Sequence, residues 1–149
     1  CTADPKRKNF FGYMGVTIFK PNLKEVKESL NILVDDVNEE MLSDIHKELK
    51  HKLDHSISLI TLSEKGMFYQ DENNAHIIPS HLRNVADVSG AGDTVIAIAS
   101  LFYAATKNIH LATDIANIAG GLVCETVGTA AIDKQKLLDE CRMLLSSAE

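Results

Sequence analysis

Two glycines and a carboxylate lie close together in residues 87–94, which read Asp-Val-Ser-Gly-Ala-Gly-Asp-Thr. Gly90 and Gly92 lack a Cβ, so the backbone there can take up unusual conformations and approach a ligand closely. The nearly uncharged run that follows, residues 95–105, predicts a buried helix starting at this turn. The first N–H groups of a helix have no partners within it and attract anions. Asp93 lies at the same point and could accept a proton, so the stretch is suited to moving a phosphoryl group onto a hydroxyl.

The same residues also have a purely structural explanation. Glycine turns before helices are common, and Asp or Ser at the start of a helix often only caps it. The competing phosphate motifs are missing: the chain has no G-x-x-x-x-G-K-[ST] and no G-x-G-x-x-G after a strand. Neither a P-loop nor a dinucleotide-binding fold is therefore predicted. A G-x-S-x-G nucleophile turn is absent as well.

Asn22 and Glu25 follow directly on a predicted strand, and in open α/β sheets ligands bind at the carboxyl ends of strands. An amide and a carboxylate one helical turn apart could hold a hydrated Mg²⁺ and a phosphate. They could also form a capping box, and the pattern alone favours this second interpretation. Residues 61–66, Thr-Leu-Ser-Glu-Lys-Gly, end another predicted strand, and their hydroxyls could face a phosphate chain.

A stretch of small residues surrounds Asn117 in a predicted helix, residues 116–121. Such a stretch allows close approach of another helix or of a flat ligand such as adenine, and core packing is the default interpretation. Of the six histidines, His51 and His55 straddle a helix end and are expected at the surface. Cys124 is expected to be a small buried apolar residue.

The composition limits the class of protein. With 149 residues, 45% of them hydrophobic and 24% charged, the chain can form one domain with a real core. The net charge is −6 and the sequence has no long basic cluster, so no nucleic-acid-binding surface is predicted. No signal peptide or bilayer-spanning run is present, so no membrane partner is expected. The three cysteines lack metal spacing and predict free thiols in a reducing, cytoplasmic compartment.

The hydrophobic patterns predict an α/β fold with a mainly parallel sheet covered by helices. The predicted strands are residues 16–19, 57–62, 67–69 and 75–78. The predicted helices are residues 23–33, 39–53, 92–105, 111–126 and 133–146. The first fifteen residues are expected to be loop with short ordered pieces at most. Because the chain opens at Cys1 without Met, it is expected to be a segment of a longer protein.

Taken together, these residues resemble the ribokinase-like (PfkB) family of sugar kinases. Residues 87–94 look like the family signature D-x-[ST]-G-A-G-D-[ST], and residues 22–25 fit its N-x-x-E motif. The order along the chain agrees as well, with the turn at residues 61–66 before the signature and Gly128-Thr129 after it. The resemblance implies a three-layer α/β/α fold, here without the family's N-terminal half and lid.

Within the family, two further stretches look most like heptose-7-phosphate kinase domains: Asp-Pro-Lys at residues 4–6 and Phe-Lys-Pro-Asn at residues 19–22. The whole chain would then be the C-terminal, nucleotide-binding part of a single kinase domain. The implied activity is ATP-dependent phosphorylation of a sugar or sugar phosphate. Other possibilities stay open: another sugar kinase of the family, a nucleotide-binding module without catalysis, or an unrelated phosphate-binding enzyme.

The resemblance also implies roles for single residues. Asp93 would take the proton of the sugar hydroxyl, and the backbone N–H groups of Gly90, Ala91 and Gly92 would hold the transferring phosphoryl group. Mg²⁺ would be organised by Asn22 and Glu25. The residues implied to contact or border ATP are Asn22, Glu25, Thr61, Ser63, Gly66, Asn117 and Gly121, with Lys6 adding positive charge near the phosphates.

The chain departs from the family pattern in two ways. Ser63 stands where many members have glycine. Most of the sugar-binding residues of the family belong to the N-terminal half, so this chain alone is expected to have little or no kinase activity. A sheet cut through its middle would expose an apolar edge, which predicts self-association into a homo-oligomer.

Overall fold

The computed structural model describes residues 1–33, 35–80, 90–128 and 130–146. The chain forms two compact units, Cys1–Pro79 and Ser80–Glu149. The first unit holds a sheet and two α-helices, and the second holds three α-helices in its described residues.

A five-stranded sheet organises the first unit, with its strands side by side in chain order. The strands are β1 (Thr2–Ala3), β2 (Ile18–Phe19), β3 (Ile57–Thr61), β4 (Met67–Gln70) and β5 (Ala75–Ile78). The first three strands pair in parallel, and β4 pairs antiparallel with both β3 and β5. Four of the five strands therefore run in one direction, as the prediction of a mainly parallel sheet requires.

Two helices pack their apolar faces on this sheet: α1 (Leu23–Leu30) and α2 (Glu39–Leu53). A short 3-10 helix, Arg7–Gly12, lies before β2. The predicted bounds of α2 are confirmed, and the Asn38 side chain accepts a hydrogen bond from the Met41 N–H at its start. The core between these elements consists mainly of large apolar residues, among them Phe19, Val26, Leu42, Leu49, Leu53, Ile60 and Phe68.

The predicted end of α1 is wrong by three residues. Asn31 adopts a left-handed backbone with φ of 54°, and its N–H bonds the Lys27 carbonyl, which ends the helix after Leu30. Leu33, expected on the apolar face of the helix, is instead 93% exposed. Asparagine tolerates the left-handed region better than most residues, so it can end a helix before the apolar spacing does.

The second unit is a layer of helices: α3 (Ala91–Thr106), α4 (Ile109–Cys124) and α5 (Lys134–Ser146). The prediction that Asp133 starts the last helix is confirmed, because its carboxylate accepts a hydrogen bond from the Lys136 N–H at 2.8 Å. The core of this unit includes Ile115, Ile118, Ala119 and Leu137.

The expected exposure of the two histidines at the end of α2 is wrong for one of them. His51 is exposed, as expected, whereas His55 is completely buried. The ring of His55 packs beside Phe19 and bonds the Ser58 hydroxyl, so an apolar neighbour and a polar partner together draw it into the core. The periodicity of α2 carries no information on His55 because the residue lies beyond the end of that helix.

The remaining global predictions concern thiols and membranes. Cys1, Cys124 and Cys141 are all free thiols, and Cys124 is buried as expected. No helix among the described residues has the length and apolar character needed to cross a bilayer.

Candidate functional site

A pocket of about 580 Å³, lined mainly by polar and charged residues, opens in the first unit at the carboxyl ends of β2 and β3. It is called the strand-end pocket here. Three residues predicted to contact a nucleotide line it: Asn22, Thr61 and Ser63. An isolated parallel bridge joins Asn22 to Thr61, so backbone pairing brings the ends of the two strands together. The other lining residues are Leu23, Lys24, Lys27, Glu28, Asp35, Val37, Leu62, Glu64 and Lys65.

The motif that starts α1 forms a complete capping box. The Asn22 side-chain oxygen accepts a hydrogen bond from the Glu25 N–H at 2.8 Å, and a Glu25 carboxylate oxygen accepts one from the Asn22 N–H at 2.8 Å. The structural interpretation of this motif is therefore observed. Glu25 uses Oε2 in the box, so Oε1 is the oxygen outside that hydrogen bond. The box holds both side chains at the pocket end of the helix.

The turn after β3 explains two further residues. Gly66 has φ of 100° and ψ of −133°, a conformation open essentially to glycine only. Its carbonyl accepts a hydrogen bond from the Leu62 N–H at 2.9 Å, which closes the turn. Ser63 also has a left-handed backbone, with φ of 56°, where glycine would be unstrained. Backbone geometry thus explains why glycine would suit the Ser63 position.

A pair of lysines shares one carboxylate at the ends of β1 and β2. Lys6 is a largely exposed side chain whose Nζ is 3.3 Å from Asp4, and it is not among the residues that line the strand-end pocket. Lys20 is nearly completely buried, and its Nζ is 3.2 Å from the other Asp4 oxygen. Sequence reasoning singled out Lys6 and missed Lys20. The signal for Lys20 is its place between a buried strand and Asn22.

The glycine signature begins α3 in the second unit. Gly90 has a left-handed backbone, with φ of 78°, and its carbonyl accepts the hydrogen bond of the Thr94 N–H. The N–H groups of Ala91, Gly92 and Asp93 therefore belong to the first turn, where a helix offers donors without intrahelical partners. The Asp93 side chain is exposed in this turn. The start of α3 thus carries both N–H donors that could bind an anion and the carboxylate of Asp93.

The small-residue stretch of α4 packs closely against α3. A Cβ added to Gly120 would lie 2.9 Å from Cγ2 of Val95, so the missing side chain permits this approach of the two helices. Asn117 and Gly121 are both buried in the same helix. The packing interpretation therefore holds for Gly120, and the adenine role of Asn117 and Gly121 stays a prediction.

The candidate residues thus form two groups, one in each unit. In the first group, Asn22, Thr61 and Ser63 line the strand-end pocket, whereas Glu25 and Gly66 are close in sequence but are not among its lining residues. The second comprises Gly90, Ala91, Gly92, Asp93, Asn117 and Gly121. Signature residues 87–89 and Thr129 lie outside the described residues.

The charges of the strand-end pocket are mixed. Lys24, Lys27 and Lys65 line it together with three acidic residues, and Lys27 is 3.7 Å from Asp35. Among the described residues, no cluster of three or more His, Cys, Asp or Glu side chains could enclose a metal ion. One carboxylate oxygen of Glu25 suits Mg²⁺, which keeps several waters and shares its site with phosphate oxygens.

Comparison with known proteins shows the family to which this chain belongs. Residues 11–136 match the pfkB family of carbohydrate kinases. Because this match covers most of the chain, the chain belongs to the pfkB family of carbohydrate kinases. The match runs through both units, and the resemblance drawn from the sequence motifs is confirmed.

The curated relatives agree with this assignment. The chain is 44% identical over 128 residues to the Bifunctional protein HldE of Aliarcobacter butzleri, covering 86% of this chain and 26% of that protein. It is 39% identical over 136 residues to the Bifunctional protein HldE of Helicobacter hepaticus, covering 91% of this chain and 28% of the relative. The chain therefore spans little more than a quarter of the length of these relatives.

Solved structures confirm the ribokinase-like fold. Phosphofructokinase-2 from Escherichia coli, in complex with substrates and products, matches with a TM-score of 0.80 at 15% identity, over 98% of this chain and 47% of that one. Arabidopsis thaliana ribokinase, complexed with ribose and ATP, matches with a TM-score of 0.75 at 20% identity. The match covers 92% of this chain and 43% of the ribokinase chain. At these identities the likeness establishes the fold.

Proposed function

We propose that this chain is the nucleotide-binding and catalytic-base part of an ATP-dependent sugar kinase, acting on D-glycero-D-manno-heptose 7-phosphate to give the 1,7-bisphosphate. The observation that carries the proposal is Asp93, exposed in the first turn of α3 behind the left-handed Gly90 of a pfkB-family chain. The heptose substrate is supported by the HldE relatives at 34–44% identity. The product would enter ADP-heptose and lipopolysaccharide core synthesis.

Asp93 acts as the base in this mechanism. Its carboxylate accepts the proton of the attacking sugar hydroxyl as the new O–P bond forms and the bond to the ADP oxygen breaks. The N–H groups of Gly90, Ala91 and Gly92 donate to the oxygens of the transferring phosphoryl group. These groups are fixed by the helix before the substrate binds, so little reorganisation is needed as charge develops.

The strand-end pocket takes the nucleotide side. Asn22 and Glu25 hold a hydrated Mg²⁺ and the ATP phosphates, with Glu25 contributing the carboxylate oxygen that the capping box leaves over. Thr61, Ser63 and Gly66 follow the phosphates and ribose. Bound Mg²⁺ supplies positive charge that offsets the charge of the phosphates. Asn117 and Gly121 border the adenine.

The rest of the sugar site belongs to a longer protein in this proposal. The matched solved structures are about twice as long as this chain, which covers 47% of phosphofructokinase-2. Both units of the chain would be parts of one kinase domain, and the isolated chain would have little or no activity. The protein would act in the cytoplasm as a homo-oligomer, without a nucleic-acid or membrane partner.

The test is a kinase assay on the longer protein that contains this chain, with heptose 7-phosphate, fructose 6-phosphate and ribose as alternative acceptors. We expect ATP-dependent turnover to be fastest with heptose 7-phosphate. Faster turnover of ribose or fructose 6-phosphate would assign another sugar kinase of the family. Nucleotide binding without turnover of any acceptor would identify a non-catalytic module.

A further inference from the structure

Three buried polar side chains form a cluster at the start of β3. The Ser58 hydroxyl of β3 is 2.8 Å from Nδ1 of His46 and 2.7 Å from Nε2 of His55. His46 is 4% exposed, and His55 and Ser58 are completely buried. His46 belongs to α2 and His55 to the connection between α2 and β3, so one hydroxyl ties three parts of the chain together.

The number of protons in this cluster is fixed by its geometry. A serine hydroxyl donates one hydrogen bond, and a neutral imidazole has one N–H and one bare nitrogen. The hydroxyl oxygen could accept from both rings, but its own proton would then have no acceptor among the described residues, so full satisfaction requires one ring to donate to the oxygen and the other to accept its proton. His55 Nδ1 is buried and has no partner among the described residues. A bare nitrogen there costs less than an orphaned N–H, so His55 donates from Nε2 and His46 accepts at Nδ1.

A further proton breaks this arrangement. If the Ser58 hydroxyl keeps donating to His46, a third ring proton has to place an N–H on His55 Nδ1, where no acceptor is found among the described residues. The other choice is to let both rings donate to the Ser58 oxygen, which leaves the hydroxyl proton without an acceptor among the described residues. Each choice adds an unsatisfied donor and a positive charge to the interior, and both are costly.

The surrounding charges act in both directions. Lys50, on α2, donates a hydrogen bond to the His55 carbonyl and lowers the pKa of both rings. Asp54 raises the pKa of His55, and Asp71, in the turn between β4 and β5, raises that of His46. Burial is the largest influence and lowers the pKa of both histidines, that of His55 to about 4. Other charged or titratable groups near His46 line a shallow pocket: Lys47, His51 and Glu72.

The cluster is connected to the strand-end pocket through the sheet. Ser58 pairs with Phe19 on β2 and with Gln70 on β4. Three residues further along β3 is Thr61, which bridges to Asn22 and lines the pocket. The position of β3 relative to β2 therefore sets the distance between the two sides of the pocket.

We propose that His46, Ser58 and His55 form an acid-sensitive lock that holds β3 in place, so that protonation of the lock weakens nucleotide binding in the strand-end pocket. The inference rests on the proposed function, because it takes that pocket to be a nucleotide site. The lock acts through β3 and does not touch the nucleotide, so these three residues are positioning residues.

The variant that tests the lock keeps the two hydrogen bonds of Ser58 and replaces both titratable rings with neutral amides. In His46→Asn the side-chain oxygen replaces Nδ1 as acceptor, and in His55→Gln the side-chain amide replaces Nε2–H as donor. The double variant should therefore stay locked in acid. His51→Gln is the matched control, because His51 is an exposed histidine near the end of the same helix.

The experiment is calorimetric titration with ADP and Mg²⁺ at neutral pH and at about pH 4, the lowered pKa of His55. It uses the same pH series for all three proteins, so that protonation of ADP itself contributes equally. We expect the affinity of the wild type and of His51→Gln to fall at least about twofold more than that of the double variant, because about half of the protein then has a protonated lock. An equal fall in all three proteins would overturn the proposal.

A second measurement on the wild type does not depend on nucleotide binding. NMR of the imidazole nitrogens should find both rings neutral at neutral pH, with the proton on Nε2, and His55 still neutral at about pH 5. Titration of His55 near the ordinary value would overturn the lock even if ADP binds. A wild type that binds no ADP but has these tautomers would overturn the nucleotide role of the pocket and with it the coupling, while the buried cluster itself would stand.

Discussion

In residues 1–79 the candidate ligands are tied into the fold, whereas in residues 90–146 the candidate base is exposed at the start of a helix. Asn22 and Glu25 bond each other's backbone in the capping box, and Gly66 closes a turn that needs its conformation. Asp93, in contrast, has an exposed side chain in the first turn of α3. Substitutions in the first group should therefore change both nucleotide affinity and stability, whereas substitution of Asp93 should change turnover alone.

The largest expected effect is that of Asp93→Asn in the longer protein that contains this chain. Loss of the base should lower turnover by about 10²–10⁴-fold, the usual contribution of a positioned general base. ADP affinity and unfolding free energy should stay nearly unchanged because the side chain is exposed. The comparison uses steady-state kinetics, ADP titration and urea unfolding, with Asp36→Asn as an exposed control. Unchanged turnover, or equal loss of turnover and ADP binding, would contradict the base assignment.

Acid should weaken the first unit through its buried histidines. The folded pKa of His55 is lowered to about 4 from 6.5, so between these values the unfolded chain binds more protons than the folded one. Stability from this group is complete above pH 6.5 and is lost as pH falls toward 4. The loss should reach about 3 kcal/mol. Urea unfolding across this range measures it, and a flat profile in the wild type would contradict the burial of neutral His55.

Gly120→Ala should destabilise the second unit. The new Cβ would lie 2.9 Å from Cγ2 of Val95, so the two helices would have to move apart. Overpacking of this kind costs about 1–3 kcal/mol. Gly12→Ala is the matched control, because its Cβ would meet only an ordinary contact 3.9 Å from Asn9. Equal thermal unfolding of the two variants would refute the close helix contact.

Two substitutions of Glu25 separate its cap from its charge. Glu25→Ala removes the half of the capping box that the Glu25 carboxylate makes and should cost about 1 kcal/mol of stability as well as nucleotide affinity. Glu25→Gln can keep the box, so it should keep stability and lose the Mg²⁺-dependent part of ADP affinity. Glu48→Ala, at an exposed position of α2 outside the pocket lining, is the control. If Glu25→Gln binds ADP and Mg²⁺ as the wild type does, Glu25 has only its capping role.

The smallest expected effect is a gain in stability. Ser63→Gly replaces a side chain at φ of 56° with the residue that adopts this region freely. The unfolding free energy should rise by up to about 1 kcal/mol, the strain relieved less the flexibility gained by the unfolded chain. Urea unfolding measures the change. A loss of stability would mean that the Ser63 side chain makes a contact worth more than its backbone strain.

The elements with strong local signals could be predicted from the sequence. The bounds of α2 follow from its apolar spacing and from the cap residue Asn38, and the hairpin of β4 and β5 follows from the polar residues 71–74. The signature at residues 90–93 predicts the start of α3 because glycine and helix propensity act within a few residues. The order of strands and helices along the chain was sufficient for the fold class.

Other features depend on partners far apart in sequence, and local patterns could not predict them. Burial of His55 depends on Phe19 and Ser58, and burial of Lys20 depends on Asp4, which directly follows β1. The early end of α1 depends on the left-handed Asn31, because the apolar spacing alone continues to Leu33. The motifs of the candidate site were therefore predictable, whereas the buried polar network was not.

The most direct test of the account is calorimetric titration of this chain with ADP and Mg²⁺, beside an Asn117→Ala variant whose folding is checked by circular dichroism. The account predicts saturable binding at a single site in the wild type and clearly weaker binding in the variant, because Asn117 borders the adenine. A folded wild-type chain that binds no ADP would contradict the claim that it carries the nucleotide side of the kinase.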